Sequence, residues 1–277
     1  MKSYRELNIQ EKQEIVDFYY DNKNYRKIDI MKKFNISSRT YLSIMKEFGI
    51  NSKLKNRYTL NDDYFQEIDT PAKAYILGFI YADGYVGNDK MNNLVIAVND
   101  YEVVSFIKDE LEFTGKIKIT KPGGFPGSCS GYAIRISSAK LTSDLREIGL
   151  YDNKSKTLYS LPEIDSSLFS HFVRGYFDGD GYVSSGITHI NKGNKIYEYP
   201  YITAGILGTK HFLVSMINKI NEIEDVKLCI HLQDTKTPEI KTVNFYSKSN
   251  IRLFYNYIYN ESCFHLKRKK EIFDNFF

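Results

Sequence analysis

The chain has 277 residues, 42% of them hydrophobic and 26% charged, with a net charge of +4, a profile of folded domains rather than of a disordered or fibrous chain. No run approaches the roughly 18 apolar residues that span a bilayer, and the opening MKSYRELNIQEK has no signal-peptide apolar core. Cys129, Cys229 and Cys263 are far apart without a C-x-x-C spacing, which argues against a disulfide framework or a zinc knuckle; an intracellular, reducing compartment is expected, and secretion is not.

Charge is unevenly placed. Residues 1–58 hold 13 Lys/Arg against 7 Asp/Glu, and residues 59–277 hold 25 against 27. The excess therefore sits in the first fifth of the chain, as a polyanion-binding module requires, although solubility alone also accounts for it. Within this part, apolar spacing predicts three helices, over 10–20, 25–34 and 38–48. Ser37 suits an N-cap and Gly49 the position after a helix C-terminus. A short break followed by a capped helix looks like a helix-turn-helix over residues 1–50. Its third helix then turns Ser38, Arg39, Thr40, Ser43 and Lys46 outward, with Arg39, Thr40, Ser43 and Lys46 as candidate DNA contacts. A plain helical bundle with a solvated face fits the same pattern. Residues 51–69 read as a linker, either tracking phosphates through Lys53, Lys55 and Arg57 or merely solvated.

The remainder repeats itself. Residues 74–86 read AYILGFIYADGYV, and 171–183 read HFVRGYFDGDGYV. Each copy is a helix with a central glycine, ending at an Asp-Gly step that leads into a strand; Asp83-Gly84 and Asp180-Gly181 lie 97 residues apart. After the first copy, strands are predicted over 92–99, 116–120 and 131–138, with helices over 101–111 and 140–148. After the second, strands are predicted over 201–207, 226–233 and 241–248, with helices over 210–220 and 250–259. Strand alternation puts Ile117, Ile119, Ile134, Ile136, Leu228, Ile230, Val243 and Phe245 under the helices. Lys116, Lys118, Arg135, Lys227, His231, Asn244 and Tyr246 face the other way, as candidate groove contacts or as an ordinary wet face.

A glycine inside a helix costs about 1 kcal/mol against alanine, which makes sense at Gly78 and Gly175 if two helix backbones touch there. Side-by-side packing then brings Asp83 and Asp180 together at the helix ends. Opposed carboxylates repel unless cations lie between them, and hard oxygen ligands suit Mg²⁺.

At these residues the sequence resembles the LAGLIDADG homing endonucleases, in Ile76–Gly84 and again in Val173–Gly181. Tyr81 departs from the pattern at its sixth letter, where Asp178 keeps it. The resemblance covers about residues 70–277. It implies an α+β fold of two pseudo-symmetric αββαββα repeats, 70–165 and 166–277, forming a β saddle behind a small all-α module. It also implies a monomeric, site-specific, Mg²⁺-dependent DNA endonuclease acting on a long double-stranded DNA target. In that reading two or more Mg²⁺ ions are held by Asp83 and Asp180, and one lysine serves near each metal site. Those lysines are Lys154 in GLYDNKSKTLYSLP (149–162) and Lys269 in FHLKRKKEIF (264–273), with Lys267 the alternative. Some members place a glutamine on the strand beside the metal; Ala97 and Gly205 stand there. A catalytically silent DNA-binding regulator and an intron RNA maturase use the same scaffold. An intein is not expected, because the ends lack a splicing nucleophile and a His-Asn pair.

Overall fold

Helix starts follow the caps written in the sequence. The Ser37 hydroxyl accepts from Thr40 N, the Thr70 hydroxyl from Lys73 N ahead of Pro71, and the Ser138 hydroxyl from Leu141 N, each satisfying an orphan donor of a first turn. The computed structural model describes residues 1–21, 27–50, 58–88, 91–122, 130–151, 158–193, 195–224 and 226–277. They divide into two units, Met1–Thr59 and Leu60–Phe277.

The first unit holds α1 (Ile9–Asp21), α2 (Lys27–Lys33) and α3 (Ser38–Glu47). Leu7, Ile15, Val16, Ile30, Ile36, Tyr41, Ile44 and Met45 form its core. The outward face expected for α3 needs one correction. Thr40 is only 3% exposed, and its hydroxyl meets Ser37 Oγ at 2.9 Å and the Lys2 carbonyl at 3.4 Å. It faces inward because the N-terminal segment packs there, joined by a Lys2–Ile36 bridge. Ser38, Arg39 and Lys46 are exposed, as is Leu42, and Ser43 is half-buried.

The second unit begins before the repeats. Tyr64 and Phe65 are buried, and Tyr64 donates to Glu110 at 2.9 Å. Residues 60–69 thus belong to the second unit rather than to a linker, while Lys53, Lys55 and Arg57 lie outside the described residues. The first repeat runs α4 (Pro71–Asp83), β1 (Gly84–Val86), β2 (Asn93–Val98), α5 (Tyr101–Glu110), β3 (Lys118–Ile119), β4 (Tyr132–Ser137) and α6 (Ala139–Glu147). The second runs α7 (Phe169–Asp180), β5 (Gly181–Lys192), β6 (Lys195–Thr209), α8 (Lys210–Glu224), β7 (Ile230–Asp234), β8 (Ile240–Phe245) and α9 (Lys248–Tyr259). A further helix, α10 (Lys267–Phe276), follows. Both repeats are αββαββα, as the sequence indicates. Their sheets are antiparallel with matching orders, β1-β2-β4-β3 and β5-β6-β8-β7.

The register separates the faces of each sheet. Leu94, Ile96, Ile134 and Ile136 are buried on one side of the first sheet, and Ile206, Val243 and Phe245 on one side of the second. Burying each such side chain stabilises by about 1.5–3 kcal/mol. Ile119 is the exception: it keeps the expected parity, paired with Tyr132, yet is 75% exposed. It lies on an edge strand of two residues, outside the shelter of the helices. Helix α4 is buried along Ala74–Tyr81, as a helix apolar on every side must be.

Candidate active site

Helices α4 and α7 meet through their glycines. A Cβ at Gly78 would overlap the Phe172 carbonyl and lie 3.0 Å from Tyr176 N; one at Gly175 would overlap the Tyr75 carbonyl and lie 2.9 Å from Phe79 N. Each glycine therefore admits the main chain of the opposite helix. Four residues on, a Cβ at Gly179 would overlap Ala82 and stand 3.2 Å from Asp83 Oδ2. The two helices accordingly end side by side, and the Asp83 carboxylate lies against the residue preceding Asp180. At each end a glycine turns the chain straight into a strand, with Gly84 N–H bonded to Ile80 O and Gly181 N–H to Phe177 O. A side chain on Gly84 or Gly181 would strike the last helical turn.

This is a costly place for acids. A helix C-terminus carries partial negative charge, and here two such ends each carry a carboxylate. Asp83 is exposed and Asp180 half-buried. Both act on neighbouring groups: their charges help push the Tyr176 hydroxyl far above its usual range, after burial, and help hold the proton on Lys269. Such a pair concentrates negative potential where a cation can sit.

Lys269 lies within this arrangement but not in solvent. It is 4% exposed, and its ammonium donates to Phe177 O (2.7 Å), Asp178 O (2.8 Å) and Gly181 O (2.5 Å). All three donors thus cap the end of α7. Burial lowers its pKa to about 8, against the pull of Asp178, Asp83 and Asp180. To touch a water or a phosphate it must give up one of these bonds. Lys267 is exposed, and Lys154 lies outside the described residues.

The sixth motif letters have parallel structural roles. Tyr81 donates to Ile148 O at 2.9 Å, holding the chain after α6. Asp178 accepts from Leu266 N and from Tyr75 Oη, both at 2.8 Å, holding the chain before α10. Burial raises the Asp178 carboxyl to about 6, opposed by these bonds and by Lys269 and Arg174. Arg174 is buried too, donating to Phe264 O and Ile258 O at 2.8 Å and to His171 Nδ1 at 2.7 Å.

The predicted groove contacts fall on the faces away from the helices. In the first sheet Lys118 lies opposite Ala133 and Arg135 opposite Val95, and both basic residues are exposed. In the second, Asn244 lies between Gly205 and His231; His231 is exposed and Asn244 half-buried. Lys116, Lys227 and Tyr246 are exposed but lie just outside the paired strands, because β3 and β7 start later and β8 ends earlier than expected. At the Gly205 position a neighbour fills the gap: the Tyr182 hydroxyl would lie 2.7 Å from a Cβ there and donates to Asn244 Oδ1. Sequence reasoning missed Tyr182, although it directly follows the Asp-Gly step, and it missed the length of β5 and β6. The signal for that length was the turn-like NKGN at 191–194, followed by alternating tyrosines.

No family model matches the sequence, and no curated protein matches it. Solved structures do. The LAGLIDADG homing endonuclease I-LtrWI, bound to target DNA, aligns over 78% of this chain and 89% of its own with a TM-score of 0.51 and 13% identity. The LAGLIDADG meganuclease I-AabMI, bound to uncleaved DNA, covers 75% and 88% at a TM-score of 0.49 and 14% identity. Meganuclease I-SmaMI, bound to uncleaveable DNA, covers 74% and 87% at 0.49 and 14%. With its reciprocal helix glycines, paired sheets and terminal aspartates, the chain has the fold of the LAGLIDADG homing endonucleases.

Proposed function

We propose that the protein is a monomeric, site-specific double-strand DNA endonuclease, with Asp83 and Asp180 as its catalytic carboxylates. The observation that carries this reading is the meeting of the two aspartates at the apposed ends of α4 and α7. An acid pair is unfavourable at two negative helix poles unless it serves a cation. The donor set fits Mg²⁺: two hard carboxylates, with no cluster of three or more His, Cys, Asp or Glu among the described residues, so that water and phosphate oxygens are needed to complete a shell. When bound, divalent ions supply charge neutralisation at the phosphate and a more acidic water. The chain supplies the rest. Asp83 and Asp180 hold the ions, and Lys269 lessens the repulsion at the end of α7. Lys118, Arg135, His231 and Asn244, with Lys116, Lys227 and Tyr246 at the strand ends, contact the duplex, as does the basic first unit through Arg39, Ser43 and Lys46. Lys154 takes the lysine role in the first repeat. No helix among the described residues is long and apolar enough to cross a membrane.

The test is Asp83→Asn together with Asp180→Asn, assayed on a duplex selected by the wild-type protein from a random library. Cleavage in Mg²⁺ should fall by at least about 10³-fold, with binding in Ca²⁺ within about threefold. Cutting at the wild-type rate would remove both carboxylates from the chemistry.

A further inference from the structure

The two repeats differ most in their first hairpin. In the first, Gly84 pairs with Ile96, twelve residues on. In the second, the equivalent Gly181 pairs with Ile206, twenty-five residues on, and the ladder continues to Lys192↔Lys195. Strand β6 joins β8 only from Ala204 onward. Beyond that point β5 and β6 form a two-stranded ribbon. Pro200 fits within it, since a residue paired on one side only needs no second N–H partner.

The two faces of the ribbon differ. Directly paired residues share a face, so Ser184, Thr203, Tyr201, Thr188, Tyr199, Ile190, Tyr197, Lys192 and Lys195 continue the side that bears Tyr182, Gly205 and Asn244. Tyr197, Tyr199 and Tyr201 are exposed on it. The rings of Tyr197 and Tyr199 stack at 6.4 Å, and Lys192 Nζ lies 5.9 Å from the Tyr197 ring. The ribbon's acid, Glu198, is on the opposite face, paired with His189 at 3.0 Å. The extended face therefore carries two lysines, hydroxyl donors and flat apolar rings, and no carboxylate.

We infer that this ribbon is a DNA-reading arm possessed by the second repeat alone, so that the target has unequal halves. The inference rests on the reading of the sheet faces as the DNA interface, with which the ribbon face is continuous. A major groove admits a two-stranded ribbon, and its thymine methyls accept apolar contact. Lys192 and Lys195 at the tip suit phosphates. About six residues of added strand at about 3.3 Å each reach about six further base pairs at 3.4 Å of rise.

The experiment replaces Ile187–Pro200 with Asn-Gly, which closes a two-residue hairpin on the Gly186–Tyr201 pair. A second variant, Lys192→Ala/Lys195→Ala/Tyr197→Ala/Tyr199→Ala, keeps the ribbon backbone and alters only exposed side chains. Hydroxyl-radical footprints are taken in EDTA on one duplex selected by the wild-type protein. The shortened variant should lose protection over about six base pairs at one end only. The quadruple variant should bind at least about tenfold more weakly, with the salt slope reduced by about 2. Unchanged protection in the shortened variant, or loss at both ends, overturns the arm. Failure of the wild-type protein to bind any duplex overturns the DNA reading of the sheets, and the arm with it.

Discussion

Helix α4 lines its interior with Ala74, Leu77 and Tyr81; at the equivalent positions α7 carries His171, Arg174 and Asp178. All six are buried, so two helices in equivalent places bury different chemistry. The difference follows what each must hold. In the second repeat Arg174 binds the carbonyls of Ile258 and Phe264, Asp178 takes the Leu266 N–H, and Lys269 reaches back to the end of α7. These bonds fasten α10, for which the first repeat has no counterpart among the described residues. Main-chain carbonyls take most of the Arg174 and Lys269 donors, whereas Asp178 keeps Oδ1 buried without a hydrogen-bond partner among the described residues. At the position of Asp178 the first repeat has Tyr81, whose hydroxyl ties the Ile148 carbonyl. A duplicated scaffold can thus keep its geometry while one copy takes on a polar anchoring task.

The comparison can be broken at the feature the repeats share. Gly78→Ala and Gly175→Ala each place a methyl on the opposite helix carbonyl, so each should cost more than about 4 kcal/mol in urea unfolding, a value reached only by severe core faults. The two losses should be similar; a well-tolerated alanine at either site would mean that the helices need not approach so closely.

The polar side of the comparison is sharpened by pH. His171 accepts from Arg174 and is held neutral, its pKa pushed down to about 4 by burial and then by the guanidinium charge. The unfolded chain takes up this proton near pH 6.5, the folded chain only near 4. The contribution is therefore intact above pH 6.5 and is lost as pH falls through about 4, to a total of up to about 3 kcal/mol. Between pH 7 and 4 the stability of the wild type relative to His171→Gln, measured by urea unfolding, should fall by that amount. Parallel curves would show that His171 titrates normally.

The smallest effect belongs to the first repeat. Tyr81→Phe leaves the Ile148 carbonyl without its hydroxyl donor and should cost about 1 kcal/mol. A loss above about 3 kcal/mol in the same unfolding assay would give Tyr81 a larger role than one tie.

The motif pair, the succession of helices and strands and the seam glycines could be read from the sequence because each is a local pattern repeated at a fixed spacing. What escaped depends on distant chain. Thr40 looks outward by helical spacing, but residues near Lys2 cover it. Ile119 alternates correctly, but on its two-residue edge strand it is left exposed. Lys269 has the composition of a surface lysine, and only the fold shows the three carbonyls that occupy it. The ribbon of β5 and β6 is exposed on both faces along most of its length, so it lacks the apolar-polar contrast that marks a half-buried strand.

The glycine seam also limits how such a molecule can be divided. Either half taken alone would present a helix notched at its middle, and only a helix notched at the same level could close against it. Recombining halves from different chains of this fold should then succeed or fail first on whether their notches align, before any question of shared target arises.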